Sequence, residues 1–137
     1  MNSLTISPDG RHVYALGYRH VEPQTPSLQT YNRDPASGLL TLAAATPTDA
    51  GYGEVALTHN GYYLLHFVNG TLTVYRRSTV SGTLTKVQTL AVTGLTGTGH
   101  QLVVSADDTF VLVGRGSAIV RLALNAACAS QTTLGCP

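Results

Sequence analysis

The stretch Ser7-Pro8-Asp9-Gly10-Arg11-His12-Val13-Tyr14 decides the fold of this chain, because its turn returns twice along the sequence. Thr58-His59-Asn60-Gly61 and Ser105-Ala106-Asp107-Asp108 stand at equivalent places, and the three turns are 51 and then 47 residues apart. A strand-like apolar run precedes each turn, and a run rich in Val, Tyr, Leu or Phe follows it. A repeat of about 40 to 50 residues that contains several short strands predicts the blades of a β-propeller.

Each repeat predicts a sheet of short antiparallel strands, and the last repeat holds an incomplete set. We expect blade 1 over residues 1–50, blade 2 over 51–97 and blade 3 over 98–137. Asn69-Gly70 and Arg115-Gly116 are typical of hairpin turns, because asparagine and glycine tolerate a positive φ. No window shows helical periodicity. The predicted fold class is therefore all-β, with about three four-stranded antiparallel sheets of an incomplete or fragmentary propeller.

The composition is that of an ordered, sheet-rich chain without a strong electrostatic preference. Of the 137 residues 43% are apolar and only 11% are charged, and the net charge is +1. The scattered basic residues predict no binding to nucleic acid, and no apolar run approaches the roughly 20 residues of a membrane-spanning helix. Met1 is followed directly by strand-like Ser3-Leu4-Thr5-Ile6, so we expect no signal peptide in this stretch. The abrupt start predicts a fragment of a longer chain.

The two cysteines, Cys128 and Cys136, lie close together in a tail of small residues. No histidine or further cysteine stands beside them, which argues against a zinc site. We expect a local disulfide in an exported protein, with two free thiols as the alternative. The expected location is therefore extracellular or periplasmic, and no metal or other cofactor is expected.

The first repeat resembles a known group of proteins. The stretch Ser7 to Tyr14 and the later Leu28-Gln29-Thr30-Tyr31-Asn32-Arg33-Asp34-Pro35-Ala36-Ser37-Gly38-Leu39-Leu40 resemble the lactonase-type seven-bladed β-propellers and the broader YVTN (YncE-like) family of bacterial repeats. The second repeat matches more loosely, through Thr73-Val74-Tyr75-Arg76-Arg77 and Ser81-Gly82-Thr83-Leu84. The resemblance covers most of the chain and implies the propeller fold.

A signature of some lactonase-type members is missing. They carry a Gly-Pro-Arg-His run whose histidine stands four residues before the turn serine. Here Ser3, Glu54 and Gln101 stand at that place, and His100 falls where the arginine would be. The resemblance therefore transfers no lactone-hydrolysing site, and the catalytic residues stay unknown.

Three blades cannot close a ring, because propellers close with about 4 to 8. The apolar faces of the first and third sheets would then be bare, and such surfaces favour association. Since the resemblance implies seven blades, we expect the remaining blades of a longer chain to cover them. Self-association, for example a homodimer with six blades, and a ring completed by another protein are the alternatives.

Glu54, His100 and Gln101 are the candidate ligand-binding residues. They stand where glycine-rich segments lead into the innermost strands, and such loops rim the central channel of a propeller. A glutamate and a histidine there could act as acid and base or hold a cation. The alternative is that they are solvated loop residues.

The other polar residues have simpler explanations. We expect His12 at the surface beside its turn, and His66 hydrogen-bonded between blades inside an apolar strand. Arg76-Arg77 is interpreted as solubilising charge near a blade edge. Asp107-Asp108 is interpreted as a solvated turn, because a calcium site needs further oxygen donors at fixed spacing.

The sequence leaves three functional hypotheses open. The leading one is a non-enzymatic β-propeller scaffold or binding module that presents loops to a small-molecule or protein ligand. The second is a lactonase-like hydrolase of sugar lactones with a site at the mouth of the channel. The third is a repeat segment of a bacterial surface or adhesin-like protein.

Overall fold

The computed structural model describes residues 3–18, 26–48, 53–95 and 101–124. Most of these residues lie in eleven β-strands. The strands are β1 (Ser3–Ile6), β2 (His12–Tyr18), β3 (Pro26–Arg33), β4 (Leu40–Pro47), β5 (Gly53–Leu57), β6 (Tyr63–Val68), β7 (Thr71–Arg77), β8 (Leu84–Ala91), β9 (Gln101–Val104), β10 (Phe110–Arg115) and β11 (Ala118–Ala123). Within the described ranges, no helix has the length and apolar character needed to cross a membrane.

The strands form three antiparallel sheets in which neighbours along the chain also pair in the sheet. The first sheet has the order β1-β2-β3-β4 and the second has the order β5-β6-β7-β8. The third sheet, in the part of the chain that the structure describes, has the order β9-β10-β11. The predicted all-β fold, built from three antiparallel propeller-type sheets, is confirmed.

The turn that opens each sheet explains why the Ser-Pro-Asp-Gly pattern recurs. In the first repeat the Ser7 hydroxyl donates to the Asp9 carboxylate at 2.5 Å, and the backbone N–H of His12 donates to the Ser7 hydroxyl at 3.0 Å. The last turn residue needs a positive φ, which is +70° at Gly10 and +57° at Asp108. The third repeat therefore keeps the turn without a glycine, because a short polar side chain tolerates the left-handed region.

The sheets stack face to face, and an apolar cluster fills each of the two interfaces. Between the first and second sheets it consists of Tyr14, Leu16, Leu28, Val55, Leu64 and Tyr75. Between the second and third sheets its buried members are Leu65, Phe67, Leu72, Val74, Val92, Leu95, Val104, Val111 and Val113. Each fully buried side chain of this kind contributes about 1.5–3 kcal/mol to the free energy of unfolding. The core of the protein thus lies between sheets.

The strands β1, β5 and β9, here called the inner strands, lie side by side. The middle one, β5, contacts both β1 and β9. This arrangement brings the starts of three separate repeats to one place.

Candidate functional site

The inner strands bring together residues that are far apart in the sequence. Ser3, Glu54 and Gln101 occupy equivalent register positions at or next to the start of β1, β5 and β9. Ser3 and Glu54 are half-buried, whereas Gln101 is exposed. We call these three residues the inner rim. His100, the fourth residue of interest, lies outside the described residues, as do Cys128 and Cys136.

One side chain of the inner rim connects two sheets. The Ser3 hydroxyl donates to Oε2 of Glu54 at 3.1 Å, and it accepts a hydrogen bond from the backbone N–H of Val55 at the same distance. The first bond orients the carboxylate, and the second fixes the position of the hydroxyl. The rim is therefore held by hydrogen bonds between β1 and β5.

The inner rim combines a carboxylate, a hydroxyl and a primary amide. A carboxylate accepts hydrogen bonds, and a hydroxyl or a primary amide both donates and accepts them. Among the residues that the structure describes, no three His, Cys, Asp or Glu side chains stand close enough to hold a metal ion together. The rim as described suits hydrogen bonding to a polar molecule.

A second polar cluster, centred on Arg77, corrects one interpretation of the sequence. Arg77 is not a solubilising charge, because only 1% of its side chain is exposed. Its Nε donates to the Tyr14 hydroxyl at 2.9 Å, and its guanidinium also donates to the carbonyl oxygen of Gly61 at 3.1 Å. A guanidinium carries five N–H donors in a fixed planar arrangement, so one side chain can serve several acceptors at once. Arg77 thereby fastens the second sheet to the first.

His12 belongs to the same cluster and is not the surface residue that the sequence predicts. It is 4% exposed, and its Nδ1 lies 2.7 Å from the Arg77 guanidinium. Because arginine only donates, Nδ1 must accept, which places the proton of the neutral ring on Nε2. Burial and the positive charge of Arg77 both lower the pKa of His12. The ring is therefore held in its neutral form.

Two further groups complete the cluster. The Tyr14 hydroxyl donates to the carbonyl oxygen of Gly82 at 2.7 Å, and burial raises its pKa. The Asp9 carboxylate lies 3.4 Å from Arg77, with 37% of its side chain exposed. The hydrogen bond from Ser7 is the main cause that lowers the pKa of Asp9 to about 2, and Arg77 adds to it. Asp9, His12, Tyr14 and Arg77 form what we call the arginine clamp.

The acidic turn of the third repeat links the second and third sheets. The Asp108 carboxylate accepts hydrogen bonds from the backbone N–H groups of His59 and Asn60, both at 2.7 Å, and lies 3.0 Å from Nδ1 of His59. The Asp107 carboxylate accepts hydrogen bonds from the hydroxyls of Thr109 and Ser105, and these bonds lower its pKa to about 2. The two aspartates thus serve turn geometry and sheet contact.

A polar pocket of about 260 Å³ separates the outer parts of the first two sheets. Pro47 and Thr48 border it from the first sheet, and His66, Thr73 and Lys86 border it from the second. His66 is 3% exposed, which fits the buried position expected from its apolar strand.

Sequence reasoning missed the arginine clamp, although the sequence carries a signal for it. His12, Tyr14 and Leu16 alternate along β2, so their side chains point to the same face of the first sheet. This is the face that packs on the second sheet, because Tyr14 and Leu16 belong to the apolar cluster between the two sheets. Arginine also recurs at the same register position of two repeats, as Arg33 and Arg77. A polar pair on a core-facing side requires a buried partner, and the recurrent arginine supplies it.

Comparison with known proteins places this fold. No family model and no curated protein matches the chain. A candidate 6-phosphogluconolactonase from Bacteroides uniformis is similar with a TM-score of 0.73 at 16% identity, over 91% of this chain and 37% of that one. A protein from Lactobacillus plantarum is similar with a TM-score of 0.70 at 19% identity, over 93% of this chain and 38% of that one. A candidate 6-phosphogluconolactonase from Bacteroides fragilis is similar with a TM-score of 0.58 at 24% identity, over 65% of this chain and 25% of that one.

These similarities define a class and not an activity. At such identities the likeness is one of fold, and a fold hosts many chemistries. The fold is that of β-propeller blades like those of lactonase-like proteins. The chain spans between a quarter and two fifths of the length of these solved structures.

Proposed function

We propose that this chain is a non-enzymatic β-propeller segment of the YVTN and lactonase-type repeat kind, whose inner rim binds a neutral, hydroxyl-rich small molecule such as a sugar. The hydrogen bond from Ser3 to Glu54 carries this proposal. It holds a carboxylate in a defined orientation at the point where two inner strands meet. An acceptor held in this way costs little to order when a ligand binds.

The residue types of the rim support a polyol over an anion. Glu54 brings a negative charge that repels anionic ligands, whereas sugar hydroxyls donate well to a carboxylate. Ser3 and the Gln101 amide add groups that donate or accept. An exported protein of bacterial origin, as the sequence predicts, would meet such ligands outside the cytoplasm.

A binding experiment with a matched control tests the proposal. Titration of the ¹⁵N-labelled protein with glucose, galactose and inositol, followed by NMR, should shift the amides of Glu54 and Val55. Glu54→Gln should weaken binding about tenfold, since a hydrogen bond to a charged acceptor is worth about 1.5–3 kcal/mol. Asp34→Asn removes the same charge at a distant exposed turn and should leave affinity unchanged. Equal affinity of wild type and Glu54→Gln would contradict the proposal.

The second candidate function is lactone hydrolysis, and one observation favours it. An oriented carboxylate such as Glu54 can act as a general base towards water. Two similar solved structures are candidate 6-phosphogluconolactonases. Against it stands the absence of the Gly-Pro-Arg-His run from all three repeats.

Turnover distinguishes the two candidates. A panel of sugar lactones is incubated with wild type and with Glu54→Ala, and ring opening is followed by the release of acid. Hydrolysis by wild type that is lost in Glu54→Ala would establish an enzyme. Wild-type rates equal to the uncatalysed background would leave the binding function.

A further inference from the structure

The face of the first sheet that points away from the second sheet carries an open apolar groove. The groove has a volume of about 580 Å³. Leu4, Ile6 and Leu40 border it and are 58%, 52% and 50% exposed. Large apolar side chains gathered in one exposed patch mark an interaction surface.

The first and second sheets repeat each other closely enough to compare them residue by residue. Their first turns are 51 residues apart, and the arginines that end β3 and β7 are 44 residues apart. Both sheets have an irregularity at the same place, just before Tyr31 in β3 and just before Tyr75 in β7. Each position of the first sheet therefore has a defined counterpart in the second.

The open face of the first sheet is a copy of the covered face of the second. The residues by which the second sheet packs on the first are Val55, Leu57, Leu64, Tyr75, Arg77 and Leu84. Their counterparts in the first sheet are Leu4, Ile6, Val13, Tyr31, Arg33 and Leu40, and all six border the groove.

Arg33 has the geometry of Arg77 without its partners from another sheet. The Arg33 guanidinium donates to the carbonyl oxygen of Gly10 at 3.2 Å, as Arg77 does to that of Gly61 at 3.1 Å. Arg77 goes on to bind the clamp residues of the first sheet. For Arg33 the described residues contain no sheet on that side.

The third sheet shows that the arginine and its acceptors change together. In the third sheet Leu124 takes the place of Arg77. The backbone N–H of Leu124 donates to the carbonyl oxygen of Thr109, just as the backbone N–H of Arg77 donates to the carbonyl oxygen of Tyr62. The second sheet offers Asn60, Tyr63 and Leu65 at the positions of Asp9, His12 and Tyr14. Leu124 accordingly packs against the apolar cluster that contains Leu65, and Tyr63 packs against the same cluster. An arginine at this position thus goes with polar acceptors, and a leucine goes with an apolar neighbour.

We infer that the groove of the first sheet is the docking surface for another four-stranded sheet of this repeat type, one that presents a carboxylate, an imidazole and a phenol in the arrangement of Asp9, His12 and Tyr14. The ring of that phenol and apolar side chains at the places of Leu16 and Leu28 fill the groove. The polar triad receives the Arg33 guanidinium.

A second copy of this chain is a poorer occupant than such a sheet. The third sheet of a second copy would present Asp107, Phe110 and Leu112 at the three acceptor positions. Phe110 and Leu112 accept no hydrogen bond, so two of the guanidinium contacts would be lost. Leaving charged donors unpaired on burial disfavours that pairing.

An extended chain tests the inference. A second copy of residues 3–52 is placed directly before Asn2, so that the spacing matches that between the first and second sheets. The added copy then supplies the triad to Arg33. We expect a higher melting temperature than for the original chain, and Arg33→Leu should lower it as much as Arg77→Leu does. In the original chain Arg33→Leu should change the melting temperature by less than about 2 °C, as for surface substitutions.

A matched control replaces the acceptors rather than the arginine. In the added copy, Asp9→Asn, His12→Tyr and Tyr14→Leu together recreate the face that the second sheet offers to Leu124. With this control copy, Arg33→Leu should raise the melting temperature instead of lowering it. This reversal separates specific recognition from simple covering of an apolar groove.

Three results would overturn the inference. The first is an extended chain that does not fold or that melts no higher than the original. The second is an Arg33→Leu substitution that is harmless in the extended chain. The third is a head-to-tail dimer of the original chain, seen by sedimentation equilibrium and dissociated by Arg33→Glu, because a second copy would then be the occupant.

Discussion

Arg77→Leu should destabilise the protein by an amount that follows from the acceptors it leaves behind. The Gly61 carbonyl oxygen and Nδ1 of His12 would lose their donor in a buried place. An unsatisfied buried acceptor costs about 1–3 kcal/mol. Tyr14 keeps its bond to Gly82, and the partly exposed Asp9 carboxylate adds little. We therefore expect a loss of about 2–4 kcal/mol in the free energy of unfolding.

Urea denaturation followed by circular dichroism measures this loss as a lower midpoint at an unchanged slope. Arg76→Leu is the matched control, because Arg76 is the exposed neighbour on the opposite face of β7 and makes the same change in composition. It should shift stability by no more than about 0.5 kcal/mol. Equal effects of Arg76→Leu and Arg77→Leu would refute the clamp.

A double-mutant cycle tests the reasoning further. Arg77→Leu combined with His12→Leu should cost less than the sum of the two single changes, because the orphaned imidazole acceptor is gone. The coupling energy should reach about 1 kcal/mol or more, as for residues in one hydrogen-bond network. Strict additivity would show that the two side chains do not depend on each other.

Two further predictions concern the same cluster. The pKa of His12 in the folded protein lies below its ordinary value of 6.5. As the pH falls through this range, the unfolded chain therefore binds a proton at His12 before the folded protein does. The free energy of unfolding should decrease below about pH 6.5, by at most about 1.4 kcal/mol per pH unit for this single group. His12→Asn keeps a hydrogen-bond acceptor and should abolish this loss of stability. The separate loss below about pH 4 should remain, because it arises from Asp9, whose pKa rises from about 2 to 3.8 on unfolding. Thermal melts of the two proteins from pH 4.5 to 7.5 would contradict the prediction if both lost stability to the same extent. Gly82→Ala should destabilise the protein more than Gly38→Ala, although the two glycines have nearly the same φ, +74° and +76°. An added Cβ at Gly82 collides with the His12 ring, whereas at Gly38 it would lie 3.7 Å from Nη2 of Arg33. Equal urea midpoints for the two variants would show that only φ matters.

The sequence predicts the sheets well because local chemistry determines them. The Asp9-Gly10 and Asn69-Gly70 dipeptides set turns that only positive φ permits, and alternation along Thr71-Leu72-Thr73-Val74-Tyr75 sets which side chains turn inward. Each of these signals lies within a few residues. The same locality explains why Asp108 could be expected to replace a glycine.

The clamp escapes the same kind of reasoning because its contacts join distant residues. Arg77 and His12 are 65 positions apart, so neither looks unusual among its own neighbours. Two consecutive arginines beside a turn are typical of an exposed edge of a sheet. Only the stacking of the sheets shows that Arg77 is buried while Arg76 is exposed. The position of Glu54 could be inferred from the repeat spacing, but its hydrogen bond to Ser3 could not, since it crosses an interface.

The inner rim and the arginine clamp both hold the first sheet against the second, so the geometry of one depends on the other. The hydrogen bonds of Ser3 to Glu54 and Val55 hold β1 against β5. Arg77 connects the β5–β6 turn, through Gly61, to Tyr14 and Asp9 of the first sheet. Because both sets of bonds depend on how the first sheet sits on the second, loosening the clamp should also widen the distance between Ser3 and Glu54. A ligand at the rim would in turn bind best to the clamped arrangement and stabilise it by mass action. The orientation of the Glu54 carboxylate is thus a property of the packed sheets and not of either repeat alone.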